Sequence, residues 1–278
     1  MDDSKDRLTI TQVTPAYWRV TLDNPPLNLF DPRMHAEFRL LLDRIEADTQ
    51  LKVVVFDSAN PDYFIAHLDL VDWSVPDVPG AAPMSEWVHA VTRLSQSRVV
   101  SIASVRGRAR GHGNEFLLAC DLRFASREKA VFGHIEVALG TVPGGGAAEW
   151  LSALTGRSRA LEIILGSADF DADTADRYGW INRAVPDADL DAFVDGFARR
   201  IAGYDRDVLA IAKARVNAVA APPGEAARQD SWDAFALAVT RPCTQANTAE
   251  AFGRGLQQPG EYEQNLGAHL GELVAPGA

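Results

Sequence analysis

Across 278 residues the chain carries 38 acidic side chains against 27 basic ones, a formal net charge of -11, and 47% hydrophobic residues. That balance is ample for a globular core and repels phosphate backbones, so no nucleic acid is expected as a partner. No apolar run approaches the roughly 20 residues of a membrane-spanning helix, and the acidic opening MDDSKDRLTI lacks the apolar stretch of a secretory signal, so the chain reads as a cytoplasmic protein with no membrane partner.

In chain order, YWRVTLD (17–23) reads as a strand, MHAEFRLLLDRIEAD (34–48) as an amphipathic helix and LKVVVFDS (51–58) as a second strand. The near-continuous apolar run of that second strand implies burial on both faces, as in a parallel sheet flanked by helices. A Pro-rich loop, VPDVPGAAP (75–83), precedes a helix at MSEWVHAVTRLSQS, a β-branched strand VVSIASV (99–105) and a helix beginning near Asn114. LRFAS and AVFGHI read as short strands. Residues 158–185 read as two helices and a short strand, and residues 190–275 as mostly helical, with a loose boundary near 200. The two cysteines, Cys120 inside an apolar run and Cys243 after a proline, are expected as free thiols in a reducing compartment, and their number excludes a Cys-rich zinc site; no metal is expected.

Three stretches carry side chains suited to chemistry. In RGRARGHGNEFLLACD, glycines at 107, 111 and 113 free the backbone directly after a strand, and the helix that follows offers N–H groups and a positive dipole end. Such a turn can hold an anion. The Gly-x-Gly-x-x-Gly and Walker spacings are absent, which leaves an oxyanion formed during reaction or a purely structural turn. Glu115 sits immediately behind this turn on an apolar run, where an unpartnered carboxylate is costly to ionise. In FGHIEVALGTVPGGG a second carboxylate, Glu136, precedes another glycine-rich turn, where solvation and function are equally compatible with local sequence. In PDYFIAHLDL (61–70), an aromatic, a histidine and an acid follow the buried strand at its C-terminal end, the ligand-binding end of parallel sheets.

Taken together and in this order, these stretches resemble the crotonase superfamily, the enoyl-CoA hydratase and isomerase family. LDNPPLNLFDPRMHAEF is similar to the family's opening L-N/R-x-P-x-x-N-x-L-x-x-x-M, with Asn28 and Met34 in place. YFIAHLDL is similar to F-S/C-A-G-A-D-L, and GRARGHGNEFLLACDLRFAS to G-x-A-x-G-G-G-x-E-L-A-L-A-C-D-x-R-x-A-S. FGHIEVALGTVPGGGAAEWL is similar to F-G-x-P-E-x-x-L-G-x-x-P-G-x-G-G-T-Q-R-L, and RALEIILGSADFDADTADRYGWINRAVPDADL to the stretch that ends in G-L-V-x-x-V-x-P. The resemblance covers about residues 20 to 200.

It implies an α/β fold, a crotonase-like ββα spiral core over residues 1–200 with a helical C-terminal region, 201–278, that packs homotrimers, often paired into hexamers. It implies an acyl-CoA substrate, with coenzyme A entering as part of the substrate and no separate cofactor. The thioester oxygen would sit between the backbone N–H groups of Leu68 and His112, and Glu115 and Glu136 would be the catalytic acids, one polarising the attacking water and one delivering a proton to the α carbon. Ala66, His67, Asp69 and Gly111 would border the substrate. Within the resemblance, a double-bond isomerase working mainly through Glu136, a hydrolase of a substrate without CoA, and a non-catalytic binding relative stand as alternatives.

The sequence departs from the family pattern in definite places. His67 and His112 replace glycines, each expected either to pack on its loop and bind a backbone carbonyl or to line the acyl pocket. His134 and Ile135 replace the residues before Glu136, and GGGAAEWL lacks Thr-Gln-Arg. LDLVDWSVPD adds acids where many relatives carry a lysine after the aspartate at 69, so Arg108, Arg110 or a basic residue of a neighbouring subunit such as Arg254 are the candidates for the nucleotide phosphates, with surface solvation as the alternative for each. The segments VDWS and SEWVHAV are expected either to cover the acyl pocket or simply to pack.

Overall fold

The computed structural model describes residues 6–71, 86–220 and 224–273. The Pro-rich loop 75–83 and all of VDWS beyond Val71 lie outside them. The first described element is an antiparallel pair, β1 (Leu8–Thr14) on β2 (Tyr17–Leu22). β1 was not among the strands expected from sequence. Only Leu8 of its seven residues is buried, so LTITQVT carries little of the apolar signal that marks an interior strand.

Helix α1 (Pro32–Ala47) starts two residues before the expected Met34, because Asp31 caps it: its carboxylate accepts from the Met34 N–H at 2.6 Å, and Pro32 occupies the first turn, where no intrahelical N–H is needed. Met34, Phe38, Leu41, Leu42 and Ile45 form the buried stripe. Strand β3 (Val53–Ser58) explains the run VVVF: Val54 and Phe56 face the core that α1 covers, while Val53 and Val55 face a second apolar layer. Completely burying a side chain such as Phe56 contributes about 1.5–3 kcal/mol.

From β3 the chain follows one path three times. The first pass is β3, β4 (Tyr63–Ile65) and α2 (Glu86–Gln96); the second is β5 (Val100–Val105), β6 (Arg108–Arg110) and α3 (His112–Ala119); the third is β7 (Leu122–Ser126), β8 (Val131–Gly133) and α4 (Ala147–Thr155). Helix α5 (Arg157–Gly166), β9 (Asp169–Asp171), α6 (Ala172–Tyr178) and β10 (Arg183–Val185) follow. The first strand of each pass joins a six-stranded sheet, β1-β2-β3-β5-β7-β10, and the second joins a four-stranded sheet, β4-β6-β8-β9. Pairing is parallel throughout except at β1/β2 and β8/β9. Two strands and a helix per turn, advancing along two sheets, make a ββα spiral. Residues 158–185 hold two short strands rather than the one expected; at three residues each, β9 and β10 are too short to show a period.

The C-terminal region is helical as expected. α7 (Leu190–Ala202) supplies Leu190, Val194 and Ala198 to the layer that Val53, Val55, Ile102 and Phe124 form behind the large sheet. α8 (Arg206–Val219) buries no residue. α9 (Glu225–Val239), α10 (Pro242–Arg254), α11 (Glu261–Gln264) and α12 (Leu266–Leu270) return to the spiral. Leu256, Leu266 and Leu270 share a core with Ile135 and Leu139, so apolar packing runs across residue 200. Among the described residues no helix is long and apolar enough to cross a membrane, and Cys120 and Cys243 are both free.

Candidate active site

The loop after β4 is held from behind by Asn28, whose φ of 55° places it in the left-handed region that Asn tolerates better than most residues. The Asn28 amide donates to Ser58 Oγ at 2.7 Å and to the Phe64 carbonyl at 3.1 Å, and the Ala66 N–H donates to the Asn28 carbonyl at 3.2 Å. Leu68 then forms a parallel bridge with Phe30. In that bridge the Phe30 N–H donates to the His67 carbonyl at 2.9 Å, and the Asp69 N–H donates to the Phe30 carbonyl at 3.1 Å. In a trans peptide the N–H points opposite to the C=O. The Leu68 N–H is therefore turned away from Phe30, on the cavity side of the loop.

The second pass delivers the other half of the site. Gly111, at φ 49°, caps α3 and turns the chain from β6 into the helix. Its missing side chain matters: a Cβ there would lie 2.9 Å from Glu136 Oε1. His112 takes the first helical position, where an N–H has no acceptor within the helix's own ladder. Its ring packs on Trp87 of α2, with centroids 3.8 Å apart, and on Phe30 at 4.9 Å. The helix beyond is fixed by Asn114, which accepts from Trp180 Nε1 at 3.0 Å.

Glu115, on the same first turn, is 3% exposed. The Gly145 N–H donates to its Oε1 at 2.6 Å, and its Oε2 lies 3.6 Å from His112 Nδ1. The carboxylate is thus partnered on one oxygen only by backbone, which leaves the other directed toward the cavity's imidazole. Glu136 follows β8, and its Oε2 lies 3.4 Å from Nδ1 of the fully buried His134. Neither that oxygen nor either ring nitrogen of His134 has a hydrogen bond within the described structure. His134 thus stands directly behind the second carboxylate.

These groups meet on one cavity of about 80 Å³, lined by His67, Leu68, Gly111, His112, Glu115 and Glu136 together with apolar side chains. Leu68, Leu70, Leu139, Thr141 and Phe235 also wall a neighbouring cleft of about 390 Å³. Trp87, from the SEWVHAV segment, lines the cavity, so that segment covers the site. Trp232 and Phe235 of α9 close it from the C-terminal region; sequence reading missed both, and no local signal marks them. Gly144 and Gly145, within VPGGG, were the legible hint, since both lie on the wall. Ala66 and Asp69 do not reach it. Ala66 is buried in the loop backbone, and Asp69 accepts from the Val71 N–H at 2.9 Å and from Gln257 Nε2 at 3.0 Å. Among the described residues no group of three or more His, Cys, Asp or Glu is placed to hold a metal ion.

The arginine candidates resolve unevenly. Arg110 is a correction: it is neither solvated nor available to a phosphate. Its side chain is wholly buried, pairs with both carboxylate oxygens of Asp169 at 2.7 Å, and donates to the Glu263 and Gln264 carbonyls at 2.9 and 2.8 Å. Arg108 donates to the Gln264 carbonyl at 2.6 Å and lies over Tyr63, and Arg254 pairs with Glu250 one turn away. His67 packs on its loop, its Nδ1 2.7 Å from the Leu68 carbonyl, and also faces Glu263 across 3.2 Å.

A family model described as enoyl-CoA hydratase/isomerase matches residues 15–247. The "Probable enoyl-CoA hydratase, mitochondrial" of Dictyostelium discoideum is 31% identical over 203 residues, 72% of this chain and 71% of its own length. The "Short-chain-enoyl-CoA hydratase" of Clostridium acetobutylicum is 29% identical over 200 residues, 71% of this chain and 76% of its own. The crystal structure of a "putative enoyl-CoA hydratase" from Streptomyces avermitilis superposes with a TM-score of 0.89 at 42% identity, covering 99% of this chain and 100% of the other. With the ββα spiral and two glutamates on one cavity, these likenesses place the chain in the enoyl-CoA hydratase/isomerase family of the crotonase superfamily.

Proposed function

We propose that the protein is a hydro-lyase that adds water in syn fashion across the double bond of a 2-enoyl-CoA thioester. The observation that carries this reading is the pair of carboxylates, Glu115 and Glu136, brought from separate turns of the spiral to a cavity that Leu68 and His112 also line. An isomerase needs only one base; a second acid at the same wall is what hydration uses. The thioester oxygen would lie between the Leu68 and His112 N–H groups, which stabilise the enolate formed when water attacks the β carbon. Preorganised donors of this kind are worth about 3 kcal/mol each in other enzymes.

The two acids divide the proton work. Glu115 already accepts the Gly145 N–H on Oε1, so its Oε2 is the oxygen left to take a proton from the attacking water. Glu136, with Oε2 unbonded beside His134, delivers a proton to the α carbon as the enolate collapses. Water thus contributes its oxygen to one carbon and, through the two carboxyls, a net proton to the other. Coenzyme A enters only as part of the substrate, and no further cofactor takes part.

The test is the loss of conjugated-thioester absorbance with short, medium and aromatic 2-enoyl-CoA esters, run beside Glu115→Gln and Glu136→Gln. Turnover that falls at least about 10²-fold in both variants is the expected result. Loss in Glu136→Gln alone would favour a double-bond isomerase, and no turnover with any ester would remove the acyl-CoA reading.

A further inference from the structure

Glu263 touches both halves of the cavity without lying on it. Its side chain is fully buried and, from the C-terminal region, reaches the His67 ring at 3.2 Å. Its carbonyl accepts from Arg110 Nη1 at 2.9 Å. His67 immediately precedes Leu68, and Arg110 lies two residues before His112. One residue of the C-terminal region therefore holds, by side chain and by backbone, the two segments whose N–H groups face the cavity.

The protonation of His67 follows from its partners. A carbonyl only accepts, so at 2.7 Å from the Leu68 carbonyl the Nδ1 must carry hydrogen. Nε2 faces a carboxylate oxygen, and a lone pair there would repel it. Burial is the largest single influence and works against charge on the ring, but the Glu263 carboxylate and the Leu68 carbonyl together outweigh it and the pKa of His67 is raised. Burial likewise opposes ionisation of Glu263 and is the largest single influence, but His67, the Gln257 N–H and Arg110 together outweigh it, so its pKa is lowered. The pair is an imidazolium and a carboxylate. Its alignment falls outside that of a good hydrogen bond, so its strength is chiefly that of opposite charges away from water.

A second thread runs parallel to the first. The Gln257 N–H donates to Glu263 Oε2 at 2.9 Å, the Gln257 side-chain carbonyl accepts from the Leu70 N–H at 2.6 Å, and its amide donates to Asp69 at 3.0 Å. The segment from His67 to Leu70 is thereby tied to the C-terminal region at three points. The groups facing His67 are Glu263 of α11 and Arg110 of β6, with Asp169 of β9 neutralising Arg110; Tyr63 of β4 faces Glu263, and Asp69 stands on the His67 loop itself.

We propose that His67 and Glu263 are positioning residues: their buried ion pair, anchored from the C-terminal region, sets the Leu68 peptide in register with His112 so that both N–H groups meet one oxygen. This rests on the acyl-CoA reading above. The imidazolium donates to the Leu68 carbonyl and fixes the plane of the following peptide, while the Phe30 N–H fixes the preceding one. Loss of charge at His67 leaves Nε2 repelling Glu263 and lets the loop shift, which lowers kcat while leaving the apolar cavity, and hence KM, largely intact.

The experiment measures kcat and KM against pH with an active 2-enoyl-CoA for the full chain and for His67→Gln, Glu263→Gln, Glu263→Asp and the double variant His67→Gln/Glu263→Gln. Glu263→Gln keeps the size of the side chain and its acceptance from Gln257, which keeps the test interpretable if His67→Gln folds poorly. The expected result is a kcat lower by about tenfold or more in each Gln variant, KM within about threefold, and no further loss in the double variant. Glu263→Asp recovers part of kcat, and the alkaline limb of the kcat profile seen in the full chain disappears in His67→Gln. Unchanged kcat in Glu263→Gln, or an alkaline limb that persists in His67→Gln, overturns the proposal while leaving the hydratase reading standing. If the unaltered chain turns over no enoyl-CoA, both fall together; imidazole nitrogen NMR showing His67 singly protonated at neutral pH overturns the ion pair by itself.

Discussion

Gly145 and Glu115 are in closer contact than any side chain at position 145 would allow. The Gly145 N–H donates to Glu115 Oε1 at 2.6 Å, and a Cβ on Gly145 would lie 2.3 Å from Glu115 Oε2 and 2.6 Å from Trp87 Nε1. Gly145→Ala must therefore displace the carboxylate, the indole or the turn. Because the turn is itself buried from Pro143 to Ala147 and its backbone has little room to yield, displacement of Glu115 is the expected response. Enoyl-CoA turnover should fall by about 10²-fold, as misplacement by about 1 Å does elsewhere, beside a loss of about 1–3 kcal/mol in stability from overpacking the turn. Turnover within a few fold of the unaltered chain would show that the Gly145 contact does not aim Glu115.

Arg110 distinguishes a structural from a ligand-binding arginine. It is wholly buried, bidentate to Asp169 and bonded to two carbonyls of α11. Removing one partner of such a pair leaves the other charge uncompensated, at a cost of about 3–5 kcal/mol. Arg110→Ala should lower unfolding free energy by that order in urea titrations. A variant of full stability whose KM alone rose would instead mark Arg110 as a phosphate ligand.

How far the sequence could be read depended on range. His112 and Glu115 were legible because strand, glycine turn and helix follow within about ten residues there, and Leu68 and Glu136 because the family motifs cover the runs that hold them. The ββα path was not evident from periodicity, since β4, β6, β8, β9 and β10 are three residues each and leave no alternation to detect. Trp232, Phe235, Gln257 and Glu263 were invisible for another reason. They reach the site from 90 or more positions beyond Glu136, or nearly 190 beyond Asp69, and only the packing of α10 through α12 on Ile135 and Leu139, and of α9 against α4 and Gly144, brings them there. Arg110 looked like a surface cation because nothing local announces Asp169 or the α11 carbonyls.

His134 offers a separation of stability from activity. The ring is fully buried, stacks on Trp180 at 6.3 Å and 11°, and has no hydrogen bond on either nitrogen within the described structure. Replacing an unsatisfied buried polar group with an apolar one of similar size is close to neutral for folding. His134→Leu should therefore stay within about 1 kcal/mol of the parent in urea unfolding. Its Nδ1 is nonetheless 3.4 Å from Glu136 Oε2, so turnover should fall by about tenfold or more as Glu136 loses its polar neighbour. Loss of stability without loss of activity would make His134 a packing residue only.

The ion pair of His67 and Glu263 sets a pH window for stability. His67 has its pKa raised in the folded chain, so its contribution is complete below the unfolded value of about 6.5 and is lost as pH rises through the raised value. Glu263 has its pKa lowered, so its contribution is complete above about 4.3 and is lost as pH falls through the lowered value. The pair therefore stabilises fully between about pH 4.3 and 6.5, the interval in which both unfolded-state limits are met. Glu263→Gln should be less stable than the parent by on the order of 3 kcal/mol in that interval, because it leaves a buried imidazolium without its counter-charge. The gap should narrow on the alkaline side as His67 loses its proton in the parent, and on the acid side as Glu263 gains one. Urea unfolding of both proteins at a series of pH values measures it directly; a difference that stays constant from acid to alkaline pH would mean that size and packing at position 263, rather than charge, stabilise the fold.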